Sequence, residues 1–181
     1  MQQVRYSGVA MLLHWLIAAA VAANFIIPET LEGLPHEQYM DAMWPHKALG
    51  LIIFVLVVLR LIWRLVNAPP PLPSSFKPWE RVLAKASHTL FYVILLAMPV
   101  VGYIANSYDG SDVNVFGLFT VPRLPVPADD EFAHKLFHLH GAVGTALLVL
   151  IGLHVLAALK HQFVDRNGEL YRMLPFGRPK P

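Results

Sequence analysis

The chain has 181 residues, of which 56% are hydrophobic and only 14% charged, and its mean hydropathy is +0.50. That balance excludes an ordinary soluble domain, where charged residues make up about a quarter, and marks a small integral membrane protein. A net charge of +2 and a pI near 9.0 come from scattered anchors rather than a basic stripe, so nucleic acid is not an expected partner. The lack of cysteine excludes disulfides, thiolate metal ligands, cysteine-held iron–sulfur clusters and Cys-x-x-Cys-His haem attachment, which leaves any metal ligation to histidine.

Spanning a bilayer as a helix takes about 20 mostly apolar residues. Four stretches meet that length, predicting helices over 9–27, 46–66, 88–106 and 138–160. Their uninterrupted apolar runs lack the alternation of barrel strands, so the expected fold is all-α, an integral membrane four-helix bundle in a single domain over 1–181. The first stretch carries His14 and Trp15. A cleaved signal peptide ending near Ala20 to Ala23 is the competing reading of it. Against that reading, the run is long for a signal core, and its removal would worsen the charge balance.

The second stretch opens at His46 and closes with Arg60 and Arg64. The proline-rich segment 68–73 reads as a stiff extended linker, and His88 and Pro99 follow in the third stretch, where the proline predicts a kink. The long connection 106–137 mixes Gly, Pro and carboxylates and must lie outside the membrane. The fourth stretch contains His140 and His154.

Lys and Arg near helix ends accumulate on the cytoplasmic side. Eleven basic residues fall on one side: Arg5, Arg60, Arg64, Lys77, Arg81, Lys85, Lys160, Arg166, Arg172, Arg178 and Lys180. Only Lys47, Arg123 and Lys135 lie opposite, together with nine of the twelve carboxylates. Both termini are therefore expected to be cytoplasmic.

Polar side chains inside hydrocarbon persist when they bind something. From His140 to His154 is 14 residues, which returns to within about 40° of the same face and separates the two by about 21 Å. His138 lies on the far side of that helix from His154. His14 near the inner end of the first helix matches the depth of His154, and His46 near the outer end of the second matches His140. Position i+4 after each is small (Ala18, Gly50, Gly144, Ala158), leaving room for a flat macrocycle. The pairs His14/His154 and His46/His140 thus fit two bis-histidine haems b between helices. Interhelical hydrogen bonding is the alternative for any single histidine. A single zinc or copper site is disfavoured by the separation along one helix, and Glu131, His134 and His138 form only a weak exposed metal pattern. Arg60, 14 residues after His46, either meets a haem propionate or snorkels to the headgroups, the latter preferred.

Five segments together resemble the bacterial cytochrome b561 family and, within it, the branch described as superoxide oxidase. They are 13–16 (Leu-His-Trp-Leu), His46 with Gly50, His88 with 98–102 (Met-Pro-Val-Val-Gly), 151–154 (Ile-Gly-Leu-His) and 170–175 (Leu-Tyr-Arg-Met-Leu-Pro). The resemblance implies a four-helix bundle with two haems b on His14, His46, His140 and His154. It also implies a multi-pass protein of the bacterial inner membrane that takes electrons from superoxide, or from a periplasmic redox partner, and passes them to ubiquinone. By the same resemblance, His161 and His88 are candidates for the quinone site or its proton supply. The outer segments are acidic, which is unfavourable for an anionic donor unless Lys47, Arg123 and Lys135 converge. Two other classes stay open. One is a haem-bearing anchor of a larger hydrogenase or dehydrogenase, and the other is a structural or transport bundle without haem.

Overall fold

The computed structural model describes residues 5–73 and 75–177 and is mostly helical. Arg178 and Lys180, counted above among the inner cations, lie outside the described residues. Helix α1 spans Gly8–Thr30, a short α2 spans His36–Ala42, and α3 spans Trp44–Val66; α4 covers Pro78–Tyr108 and α5 covers Asp130–Leu159. Of these, α1, α3, α4 and α5 are long and apolar enough to cross a membrane. They form the four-helix bundle.

Local chemistry sets the helix ends. Ser7 Oγ accepts the Ala10 N–H at 3.3 Å and the Trp63 indole N–H at 3.0 Å, so one hydroxyl caps α1 and ties it to α3. Pro45 lies in the first turn of α3 and Pro78 opens α4, where a missing N–H costs nothing. Glu80 reaches back to the Lys77 N–H at 2.9 Å, and Asp129 caps α5 by accepting from Phe132 N–H at 2.9 Å. Both α4 and α5 therefore begin well ahead of the apolar boundaries at 88 and 138. Their opening turns carry Glu80, Arg81 and Lys85, or Asp130, Glu131 and Lys135, charges too costly to sit in hydrocarbon. Hydropathy marks the membrane, whereas capping marks the helix.

The connection between α4 and α5 is not only loop. It contains an antiparallel hairpin, β1 (Val113–Val115) with β2 (Phe119–Val121), in the register Val113 to Val121. Phe116 and Gly117 turn it with φ of 51° and 74°, and the Phe116 ring rests edge-on against Trp44 at 5.5 Å. The buried Val113 and Val115 face the start of α3, so the hairpin covers one end of the bundle.

Within the bundle α1 packs on α3, α3 on α4, and α4 on α5. The seam between α1 and α3 is the buried core, Ile17 and Val21 against Ile53 and Val57. Leu12, Leu59, Leu65, Leu153 and Leu156 are exposed, as lipid-facing side chains should be. Neither α1 nor α3 is in close backbone packing with α5. That leaves a gap between the backbones of α5 and the α1/α3 pair, crossed by side chains such as Ile151 against the core of Ile17, Val21, Ile53 and Val57.

Past α5 the chain continues through a π-turn at Lys160–Val164 and a 3-10 turn at Glu169–Arg172. The tail then joins the N-terminus: Tyr6 N–H donates to the Arg172 carbonyl at 3.2 Å and the Trp15 indole N–H to the Met173 carbonyl at 2.7 Å. The buried Arg172 guanidinium donates to the Pro71 carbonyl at 2.6 Å. One end of the bundle therefore holds the N-terminal segment, the α3–α4 connection and the tail, and is called the inner end after its excess of Lys and Arg; the hairpin lies at the opposite end, called the outer.

Candidate functional site: histidine pairs across a helix gap

The gap between α5 and its neighbours is where the histidines meet. At the outer end the rings of His46 (α3) and His140 (α5) have centroids 5.9 Å apart and planes at 70°. At the inner end His14 (α1) and His154 (α5) are 6.4 Å apart at 73°. The rings of both predicted pairs thus lie together, each pair reaching across from α5 to a helix with which it shares no close backbone packing.

The spacing has a chemical meaning. An imidazole nitrogen bound to a transition metal sits about 2.0 Å from it, with the ring centre about 1.1 Å behind, so two imidazoles on opposite sides of one iron have centroids about 6 Å apart. Both pairs match that value, and the residues present fit bis-histidine haem. Room is available too. A methyl added at Gly50 would meet nothing within 4 Å, and one at Gly144 would make only ordinary contacts, with Met98 Cε at 3.8 Å and Phe25 Cε1 at 4.0 Å.

Backbone contacts orient the outer pair. His46 Nδ1 lies 3.0 Å from the Asn24 carbonyl. A carbonyl only accepts, so Nδ1 carries the proton and Nε2 keeps the lone pair that binds metal. His140 packs against α4: its ring sits so near Gly102 that an added Cβ would lie 3.2 Å from Cε1 and 3.4 Å from Nδ1.

The inner pair has a third histidine beside it. The His88 ring is 5.8 Å from His154, and Phe91 packs edge-on against the same ring at 5.3 Å. His88 therefore belongs beside the inner pair, away from His161. His161 lies beyond the end of α5 with its ring stacked on Phe76 at 4.3 Å and Nδ1 2.6 Å from Asp165 Oδ2. Lys160 Nζ bridges Asp165 and the buried Glu80 at 2.8 Å each. Among the described residues, Glu80, His161 and Asp165 are the set spaced for a metal ion, but the Lys160 ammonium already neutralises both carboxylates. That ammonium, then the His161 ring, holds the Asp165 carboxyl below its ordinary range. Of the weak exposed metal pattern, Glu131 is paired with Lys135 at 2.6 Å.

Two cavities adjoin these groups. An outer one of about 520 Å³ is lined by Glu37, Asp41, Asp109 and Asp112 around Lys47, the neighbour of His46. Lys135 is committed to Glu131, and the Arg123 guanidinium lies against Gly110 in the same turn as Asp109 and Asp112. The three outer cations are thus set among carboxylates. An inner cavity of about 180 Å³ is lined by Arg60, Arg64, Trp63 and Tyr92. Arg60 also donates to the Ala10 carbonyl of α1 at 2.7 Å.

Several participants carry no sequence signal of their own type: Asn24 through its carbonyl, Gly102 through its missing side chain, and Phe76 through stacking. Lys160, Glu80 and Asp165 are legible only as charges near a helix end.

The family description "Prokaryotic cytochrome b561" matches residues 5–176. Cytochrome b561 homolog 2 of Escherichia coli (strain K12) is 34% identical over 175 residues, covering 94% of this chain and 91% of the relative. The probable superoxide oxidase CybB of Yersinia pestis is 30% identical over 172 residues, covering 94% and 96%. Cytochrome b562 of Cereibacter sphaeroides is 26% identical over 180 residues, covering 96% and 97%.

Proposed function

Because the chain belongs to the prokaryotic cytochrome b561 family, a family of membrane proteins that bind haem b and transfer electrons, we propose that it is a diheme superoxide:ubiquinone oxidoreductase of the bacterial inner membrane. The observation that carries this reading is the pair of imidazole spacings, 5.9 Å and 6.4 Å, at opposite ends of α5. His46 and His140 would hold the outer haem, and His14 and His154 the inner one. Haem b supplies reversible one-electron transfer at iron. Were both imidazoles of each pair taken up in holding a haem, its iron would be saturated, and a donor would give up its electron without binding metal.

Charge placement supports cytoplasmic termini, which puts the His46/His140 end toward the periplasm. Two superoxide anions each lose one electron to become dioxygen, and one ubiquinone takes up both electrons with two protons to become ubiquinol. His161, linked to Asp165 and so to Lys160, is the candidate route for those protons from the cytoplasm. His88 belongs beside the inner haem, where it would shape that site or pass a proton onward.

A second reading is favoured by one observation, the four carboxylates lining the outer cavity. They suit a basic redox protein better than an anion, as expected if this chain anchors a larger oxidoreductase. Haem per polypeptide, with dithionite-reduced and superoxide-reduced spectra of one detergent-purified sample, tests both. Two haems reduced by superoxide and reoxidised by added quinone support the first reading. Two haems untouched by superoxide move the donor to a protein partner, and a colourless protein overturns the histidine assignment.

A further inference from the structure

Pro28 lies inside α1, where a proline has no N–H for the carbonyl four residues earlier. That carbonyl belongs to Asn24, the same group that accepts from His46 Nδ1 at 3.0 Å. We propose that Pro28 is a positioning residue for the outer haem: by withholding the helical hydrogen bond from Asn24, it frees a carbonyl inside the membrane that His46 Nδ1–H must take. The inference rests on His46 being a haem ligand.

The physical argument has three steps. In hydrocarbon no water is available to satisfy a vacated carbonyl, so the freed Asn24 oxygen demands a protein donor. His46 sits across the α1–α3 seam at that level and has a ring nitrogen to give. Once Nδ1–H is fixed on the carbonyl, the ring cannot flip or change tautomer, and Nε2 is held as the basic nitrogen facing the gap. The other proline inside a spanning helix, Pro99, vacates the Leu95 carbonyl, and no histidine side chain among the described residues bonds there. Neither inner ring, His14 nor His154, has such a carbonyl partner among the described residues, and on the outer pair His140 has only the Met98 carbonyl nearby, too poorly aligned to satisfy Nδ1. The consequence is an asymmetry between the sites. A carbonyl-bonded imidazole is the stronger electron donor to iron, so this contact lowers the outer potential and leaves the inner one alone.

The test uses the full chain carrying Pro28→Ala and, separately, Pro28→Val, which restores the N–H while keeping side-chain volume. Midpoint potentials are measured by spectroelectrochemistry, with the outer haem identified by its loss in His46→Ala. The expected result is full haem content and an unchanged inner potential in both variants. The outer potential should rise by an amount equal to a three- to tenfold shift in the reduction equilibrium, about 30–60 mV for a one-electron couple. Nitrogen-15 NMR of histidine-labelled protein prepared without haem should show His46 as the Nδ1–H tautomer, and both variants should lose that preference. An unchanged outer potential with an unchanged tautomer overturns the proposal, as does a shift in one variant only, which would implicate packing. If the tautomer responds as expected but His46→Ala still binds two haems, the positioning stands and the ligand assignment fails.

Discussion

Gly102 is the position where one methyl group would act most directly on the outer pair. A Cβ there would lie 3.2 Å from His140 Cε1, inside ordinary contact, and the ring must move by a few tenths of an ångström to admit it. Overpacking of this kind costs about 1–3 kcal/mol. Gly102→Ala is therefore expected to lose haem selectively from the outer site, measured as pyridine haemochrome content falling toward one haem per chain. At the inner end two rings stand near His154, His14 at 6.4 Å and His88 at 5.8 Å. Depth and the small residue at i+4 favour His14. His14→Ala should then remove the inner haem while His88→Ala keeps both and perturbs the inner spectrum; the reverse pattern would exchange their roles. These residues also show the reach of sequence reasoning. Histidine spacing on α5 and helix direction were enough to pair His14 with His154 and His46 with His140. His88 lies ten residues into α4, which starts at Pro78, and its place beside His154 depends on how α4 packs on α5, which no spacing within α4 reveals. Gly102 could be read only as part of a family pattern, because what matters is the ring that packs against its missing side chain.

The end of α5 relaxes into a π-turn where Lys160, His161 and Asp165 come together over Glu80 and Phe76. Lys160 binds two carboxylates from different elements, so this turn fixes how α5 meets α4. Asp165 makes the linkage pH-dependent. Its carboxyl is held below the ordinary range chiefly by Lys160, so the folded state favours the charged form. The stabilisation it contributes is then present above the unfolded Asp value of about 4 and is lost as pH falls through the lower folded value. Asp165→Asn should lower the melting temperature at pH 7 and converge with the parent protein at the acid end, as followed by haem absorbance during heating. A constant difference at every pH would mean that the charge is not what Asp165 contributes. Element boundaries were the least legible part of the chain. The hairpin at 113–121 was missed because three-residue strands carry too few alternations to register, and its turn uses Phe116, an unusual residue in the left-handed region. The spanning cores were legible because the bilayer fixes their length.

Over the whole molecule the charges divide by end, and that division makes the two candidate donors distinguishable. The outer cavity beside His46 offers Glu37, Asp41, Asp109 and Asp112 against Lys47, a field that repels an anion and attracts a cation. Salt screens such fields over about 10 Å at 0.1 M. If superoxide is the donor, its oxidation should accelerate as ionic strength rises, because screening removes repulsion faster than it removes the pull of one lysine. Asp112→Asn should then speed the reaction at low salt and flatten the dependence, while Lys47→Gln should slow it and steepen the rise. If a basic redox protein is the donor, every sign reverses: rates fall with salt and Asp112→Asn slows docking. Stopped-flow reduction of the haems at two or three salt concentrations reads the sign directly. A rate that falls with salt for superoxide itself would show that the anion enters by a path other than this cavity.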